Sequence, residues 1–228
     1  MNDHVRDLSA VRDATERLLG AVAPMDNASL AGPSRLPGWT RGHLLAHLAR
    51  NADALVNVLA GHPMYTSPEA RTNDIERDAH RDLDTQVKDV RESAERLWTA
   101  AQIPADWSRT VELRGGVRDT ASRIPFRRLV EVELHHVDLD VGYELEDLSP
   151  TFVQQEILFL AERFRGLDGV PAVLIRQDDG RVVPTGSRGG TPLTVTGRQP
   201  DLLGWLAGRR DGSPLTVTGG PLPALPPL

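Results

Sequence analysis

The sequence predicts an α+β fold: a helical bundle over residues 1–148, followed by a small α/β domain over 149–228. Three observations carry this expectation. Apolar residues recur at helical spacing through the first two-thirds of the chain. The texture changes after Ser149-Pro150, where short β-like runs take over. Within that second part a near-repeat, Pro192-Leu-Thr-Val-Thr-Gly197 and Pro214-Leu-Thr-Val-Thr-Gly219, flanks an apolar helical stretch.

Taken in order, Val5, Leu8, Val11, Leu18 and Leu19 predict a first helix over about 4–22. Asn27-Ala28-Ser29 and the loop from Pro33 to Trp39 interrupt the pattern. Thr40 is suited to cap a helix, and Leu44, Leu45, Leu48, Leu55, Val58 and Leu59 line one face of 41–60. Gly61 and Pro63 stop it. The charged segment 67–101 keeps Ile75, Leu83, Val87, Val90, Leu97 and Trp98 at helical intervals, which predicts one long helix or two with a kink. Pro125 is suited to the first turn of a helix over about 125–141. Beyond Pro150 the reading is a helix over 151–165 and strands at 172–176, 181–183, 193–196 and 215–218. The two near-repeat strands, joined by Leu202-Leu-Gly-Trp-Leu206, read as a βαβ unit with parallel strands. The proline-rich tail from Gly220 to Leu228 is unsuited to regular structure and is expected along the surface.

Composition narrows the function classes. A net charge of −6 and an isoelectric point near 5.6 argue against nucleic acid as the main partner, since phosphate binding needs clustered cations. The chain has no cysteine, so it has no disulfide framework, which fits a reducing cytoplasm. Any metal must be held by His, Asp or Glu, and any thiol chemistry must use a thiol brought from outside. Met1 to Asp7 is charged and shows no signal-peptide core, and no run approaches the roughly 18 apolar residues of a membrane span. Lys88 is the only lysine, a bias we ascribe to a G+C-rich genome.

Residues four apart on a helix share a face, which places Glu131 beside His135 and His43 beside His47. Bundled helices can aim such groups at one interior point, and two imidazoles with one carboxylate make three-quarters of a tetrahedral zinc site. The open fourth position is the mark of a catalytic centre. Spacing alone leaves alternatives. Glu133 and His136 form a rival pair three apart, Glu131 could instead pair with Arg127 or Arg128, and a histidine on a helix is more often a hydrogen-bonded residue than a ligand. The segment His43-x-x-x-His47 lacks the glutamate of the zinc-protease motif.

The string from Leu36 to Asn51, Leu-Pro-Gly-Trp-Thr-Arg-Gly-His-Leu-Leu-Ala-His-Leu-Ala-Arg-Asn, resembles the entry helix of the DinB-like, mycothiol-dependent metalloenzymes. Pro63-Met-Tyr-Thr-Ser-Pro-Glu-Ala-Arg71 resembles a segment of the mycothiol-dependent maleylpyruvate isomerases, and is the more specific match. Glu131-x-x-x-His135-x-Val137-Asp138-Leu139 is similar to the family's second metal-binding helix, and Ala207-Gly208-Arg209 to a segment carrying a functional arginine. The resemblance covers nearly the whole chain. It implies a DinB-like four-helix bundle, with His47, Glu131 and His135 as ligands of zinc or another divalent metal. It implies that Arg209, with Arg210 directly after it, serves an anionic substrate at a site between the domains. Its activity would be conversion of maleylpyruvate to fumarylpyruvate in gentisate breakdown, with mycothiol as the thiol cofactor. Two other classes stand beside it. One is a mycothiol S-transferase on the same scaffold, which would retain the thiol adduct. The other is a non-enzymatic module with a sterol-carrier-like small domain, which would bind no metal.

Overall fold

The structure, a computed structural model, describes residues 4–103 and 106–227. The first three residues of the charged N-terminus and the last residue of the tail, Leu228, lie outside them. The chain divides into two compact units, Met1–Tyr143 and Glu144–Leu228, and the architecture is α+β, as expected.

Four long amphipathic helices build the first unit: α1 (His4–Val22), α3 (Arg41–Leu59), α5 (Leu83–Gln102) and α6 (Ile124–Asp138). Helix α3 packs on α5 and α6, and α1 on α5 and α6, which closes a four-helix bundle. Its interior is aliphatic, with Leu18, Leu44, Leu45, Leu48 and Ile124 at most 1 % exposed. Two shorter helices lie between, α2 (Asn27–Leu30) and α4 (Pro68–Asp78). The charged stretch 67–101 is therefore two helices. Ser67 caps α4 through a bond to the Ala70 N–H, and Asp82 caps α5 through a bond to the Thr85 N–H, so a fresh start separates the two.

Helix α3 starts where expected. The Thr40 hydroxyl accepts from the His43 N–H, and the Thr40 N–H donates to His43 Nδ1, a reciprocal cap with histidine in the place usually held by Glu or Gln. It ends at Gly61, whose φ of +83° lets His62 N–H return to the Asn57 carbonyl. Gly42 has a different reason to be glycine. A Cβ there would stand 2.3 Å from the Ala79 carbonyl, so only glycine lets the turn after α4 rest against α3. A small antiparallel hairpin, β1 (Thr110–Glu112) with β2 (Arg118–Thr120), precedes α6 and was not expected from the sequence.

The second unit sets α7 (Pro150–Phe164) and α8 (Gln199–Leu206) with a four-stranded sheet of order β4-β3-β5-β6. Its strands are β3 (Val173–Gln177), β4 (Val182–Thr185), β5 (Leu193–Gly197) and β6 (Thr216–Thr218). Strands β3 and β5 are parallel, and β4 and β6 run antiparallel to their neighbours. The expected parallel pairing of the near-repeat is thus corrected. Thr196 lies opposite Thr216 and Thr194 opposite Thr218, so the chain leaving β5 comes back to its exit point before forming β6. Helix α8 has only eight residues, and the chain turns after it at Gly208 (φ +68°) and Gly212 (φ +79°). Val173 and Ile175, alternating along β3, and Val195 of β5 are buried in the core of this unit, as are Leu202 and Leu203 of α8, which packs on both strands. The tail carries no regular structure and is tied to α8 by a bond from Trp205 Nε1 to the Pro223 carbonyl.

Candidate metal centre

The facing sides of α3 and α6 bring His47, Glu131 and His135 together. One ligand atom from each lies within 4.8 Å of the other two. His47 Nε2 is 2.9 Å and His135 Nε2 3.2 Å from the same Glu131 oxygen, Oε2, and the two rings meet edge to face with centroids 4.9 Å apart. Both imidazoles are buried, while the Glu131 side chain keeps a third of its surface. The three groups therefore converge on one point with a path to solvent. Donor type, number and convergence fit a three-ligand zinc site.

Electrostatics prepare the carboxylate and separate the two histidines. Burial pushes His47 down to about 4, against the pull of Glu131, so it is neutral and able to act as a ligand at neutral pH. Burial also works to raise the Glu131 carboxyl, but the bonds from His135 and His47 outweigh it and hold it well below its ordinary value. For His135 burial works downward, and the Asp138 and Glu131 carboxylates more than reverse it. Asp138, itself fully buried, sits 2.9 Å from His135 Nδ1 and so turns Nε2 toward Glu131. A carboxylate on the far nitrogen of a histidine is the arrangement that orients metal ligands.

Around these three are residues that the sequence reading did not assign to the site, although it named Arg128 as a possible partner of Glu131. Arg71 of α4 donates to His47 Nδ1 at 3.2 Å. Arginine is donor-only, so that nitrogen accepts and the ring proton sits on Nε2, pointing at Glu131. Trp39 meets the His47 ring edge-on at 5.5 Å. Arg128, one turn before Glu131, is fully buried and donates through Nη1 to the Leu48 carbonyl and to Asn51 Oδ1. It therefore ties α6 to α3 beside the His47–Glu131–His135 cluster, and burial pushes its guanidinium down to about 10. The signal for Asp138 was present as an i+3 position from His135. Nothing local marks Arg128 or Arg71.

The rival residues turn elsewhere. Glu133 accepts from Arg17 at 2.6 Å and from the Tyr143 hydroxyl at 3.0 Å, and the His136 ring stacks on Tyr143 at 3.9 Å. His43 is engaged with Thr40 and Glu76. Arg127 pairs with Asp119. Arg209 belongs to the C-terminal unit, just past α8, and donates to the Ala207 carbonyl at 2.7 Å. Its neighbour Arg210 is held by Asp201 at 2.6 Å and Glu146 at 2.7 Å, which makes it a structural cation of that unit.

A cavity of about 540 Å³ lies in the N-terminal unit. It is walled by the segment from Gly61 to Pro68 and by the hairpin, and Arg71, Tyr65 and Arg114 line it. Arg71 thus belongs both to the cavity and to the contact with His47.

A family profile described as the mycothiol maleylpyruvate isomerase N-terminal domain matches residues 11–140, and the corresponding C-terminal domain profile matches residues 147–227. The chain is similar to the crystal structure of the mycothiol-dependent maleylpyruvate isomerase, and to that of a point mutant of it. Each comparison gives a TM-score of 0.88 and 26 % identity, over 99 % of this chain and 97 % of the other. No curated protein sequence matches the chain.

Proposed function

Because this chain belongs to the mycothiol maleylpyruvate isomerase family, we propose that it is a zinc- and mycothiol-dependent enzyme that isomerises maleylpyruvate to fumarylpyruvate in gentisate breakdown. The observation that carries the proposal is the convergence of His47, Glu131 and His135 within 4.8 Å in a bundle of the matching family. These residues would hold the metal. Zinc and mycothiol together supply a thiolate at neutral pH, the nucleophile that makes a cis double bond reversibly single and free to rotate.

The chain's own residues do the rest. Asp138 keeps the proton on His135 Nδ1 and so leaves Nε2 as the ligand atom. With His47 Nε2 also a ligand atom, the ring proton of His47 belongs on Nδ1, and Arg71 gives up its bond there for Tyr65 and the cavity. Trp39 packs edge-on against the His47 ring and helps fix its position. Arg209 presents a planar fork to a substrate carboxylate, a role supported by the commitment of Arg210 to Asp201 and Glu146. Expulsion of the thiol releases the trans isomer and leaves the thiol unchanged, so no further reactant is consumed. No helix among the described residues is long and apolar enough to cross a membrane. A free thiol cofactor suits a reducing compartment, and the reading places the enzyme in the cytoplasm.

The test is turnover of maleylpyruvate by the purified protein with and without mycothiol. The proposal expects product only with the thiol. A stable thiol adduct in place of fumarylpyruvate would assign the chain to thiol transfer instead.

A further inference from the structure

We propose that His43, Glu76 and His80 form a second, solvent-facing binding site for a divalent transition-metal ion such as zinc. It lies one helical turn along α3 from the first. His43 precedes His47 by four residues, and Glu76 and His80 repeat the four-residue spacing of Glu131 and His135.

Ligand atoms from the three residues lie within 4.8 Å of one another. His43 Nε2 stands 3.4 Å from Glu76 Oε2, and the His43 and His80 rings meet edge to face with centroids 5.8 Å apart. A separation of 3.4 Å is long for a hydrogen bond to a carboxylate. It matches the edge of a tetrahedron with zinc bonds of about 2.0–2.1 Å, which is roughly 3.4 Å. The His43 ring is prepared for the role. It is buried and Trp39 stacks on it at 6.1 Å; with Nε2 as ligand the ring carries its proton on Nδ1, which then exchanges the bond accepted from the Thr40 N–H for one donated to Thr40 Oγ1, 2.7 Å away.

The surroundings do not oppose a cation. Arg77 is neutralised by Asp74 and Asp78, and Arg81 by Asp78 and Asp89. Glu76 and His80 are exposed, so a bound ion keeps water and exchanges with solvent, more weakly held than an ion in a buried site. Its structural effect is a clip. It joins the end of α4 and the following turn to α3, and α4 is the helix that brings Arg71 to His47.

The experiment is zinc uptake by equilibrium dialysis with elemental analysis on the full chain. It uses wild type, the Glu76→Gln/His80→Ala double variant and His47→Ala. Both residues of the double variant are exposed, so its circular dichroism should match wild type. We expect two equivalents for wild type, the second at least tenfold weaker. The double variant should lose only the weak equivalent and His47→Ala only the tight one, so each site is assigned by the variant that empties it. A wild type that takes up no equivalent removable by Glu76→Gln/His80→Ala, whatever happens at His47, overturns the second site.

Discussion

Asp138 carries a role that no composition or periodicity shows. It contributes nothing to the apolar face of α6, is fully buried, and spends its carboxylate on the back of a histidine. Asp138→Asn keeps the shape and can keep one hydrogen bond, but removes the charge that makes His135 a stronger base. Zinc affinity should fall by about 10–100-fold with little change in helix content, measured by competition against a chelator. Unchanged affinity would make Asp138 a packing residue. The converging positions were legible as spaced pairs; spacing left Glu131 and His135 open against Glu133 and His136, and the family resemblance alone chose the former. All four lie within six residues, and only the positions of Arg17 and Tyr143 show that Glu133 and His136 face a different neighbour. The contacts of Arg71 and Arg128 were not legible for the same reason. Their partners, His47 and Leu48, are distant in sequence, and an arginine on a helix ordinarily reads as solvated surface.

At the scale of elements, legibility followed the strength of local signals. Helices α3, α6 and α7 begin at a threonine cap or an early proline and are long enough for periodicity to be unambiguous. The hairpin of β1 and β2 escaped because each strand has three residues, mostly polar or charged, and Val111 alone among them is buried. The direction of β6 escaped for a different reason. Thr-Val-Thr reads the same both ways, so the near-repeat says that two like strands exist and nothing of their orientation. Antiparallel pairing sets Val195 against Val217 and threonine against threonine just as parallel pairing would. Glycine makes the sharpest prediction at this scale. Gly42→Ala forces a methyl group into the Ala79 carbonyl and must push the turn after α4 off α3. It should destabilise the protein by about 1–3 kcal/mol in denaturant unfolding, in spite of alanine's better helix propensity. A stabilised Gly42→Ala protein would mean that α4 does not seat as described.

For the whole molecule, the sequence conveyed the α+β architecture and the change of texture near residue 149, because composition and element length differ on its two sides. It also conveyed the family. The convergent trio His47, Glu131 and His135 lies in the N-terminal unit, and Arg209 belongs to the C-terminal unit. If Arg209 pairs with a substrate carboxylate, Arg209→Ala should retain zinc and fold while losing about 2–5 kcal/mol of transition-state stabilisation, with only partial rescue by lysine. Normal turnover by Arg209→Ala would remove it from the reaction and leave the metal centre untouched.

The central claim is that His47, Glu131 and His135 hold the metal that activates the thiol. The measurement that tests it most directly pairs tightly bound zinc with the mycothiol-dependent isomerisation rate in wild type and in Glu131→Gln. The exchange removes a charge at nearly constant volume. The account predicts about one tight equivalent and thiol-dependent turnover in wild type, with both lost together in Glu131→Gln while the protein stays folded. A Glu131→Gln protein that keeps its zinc and its rate would contradict it.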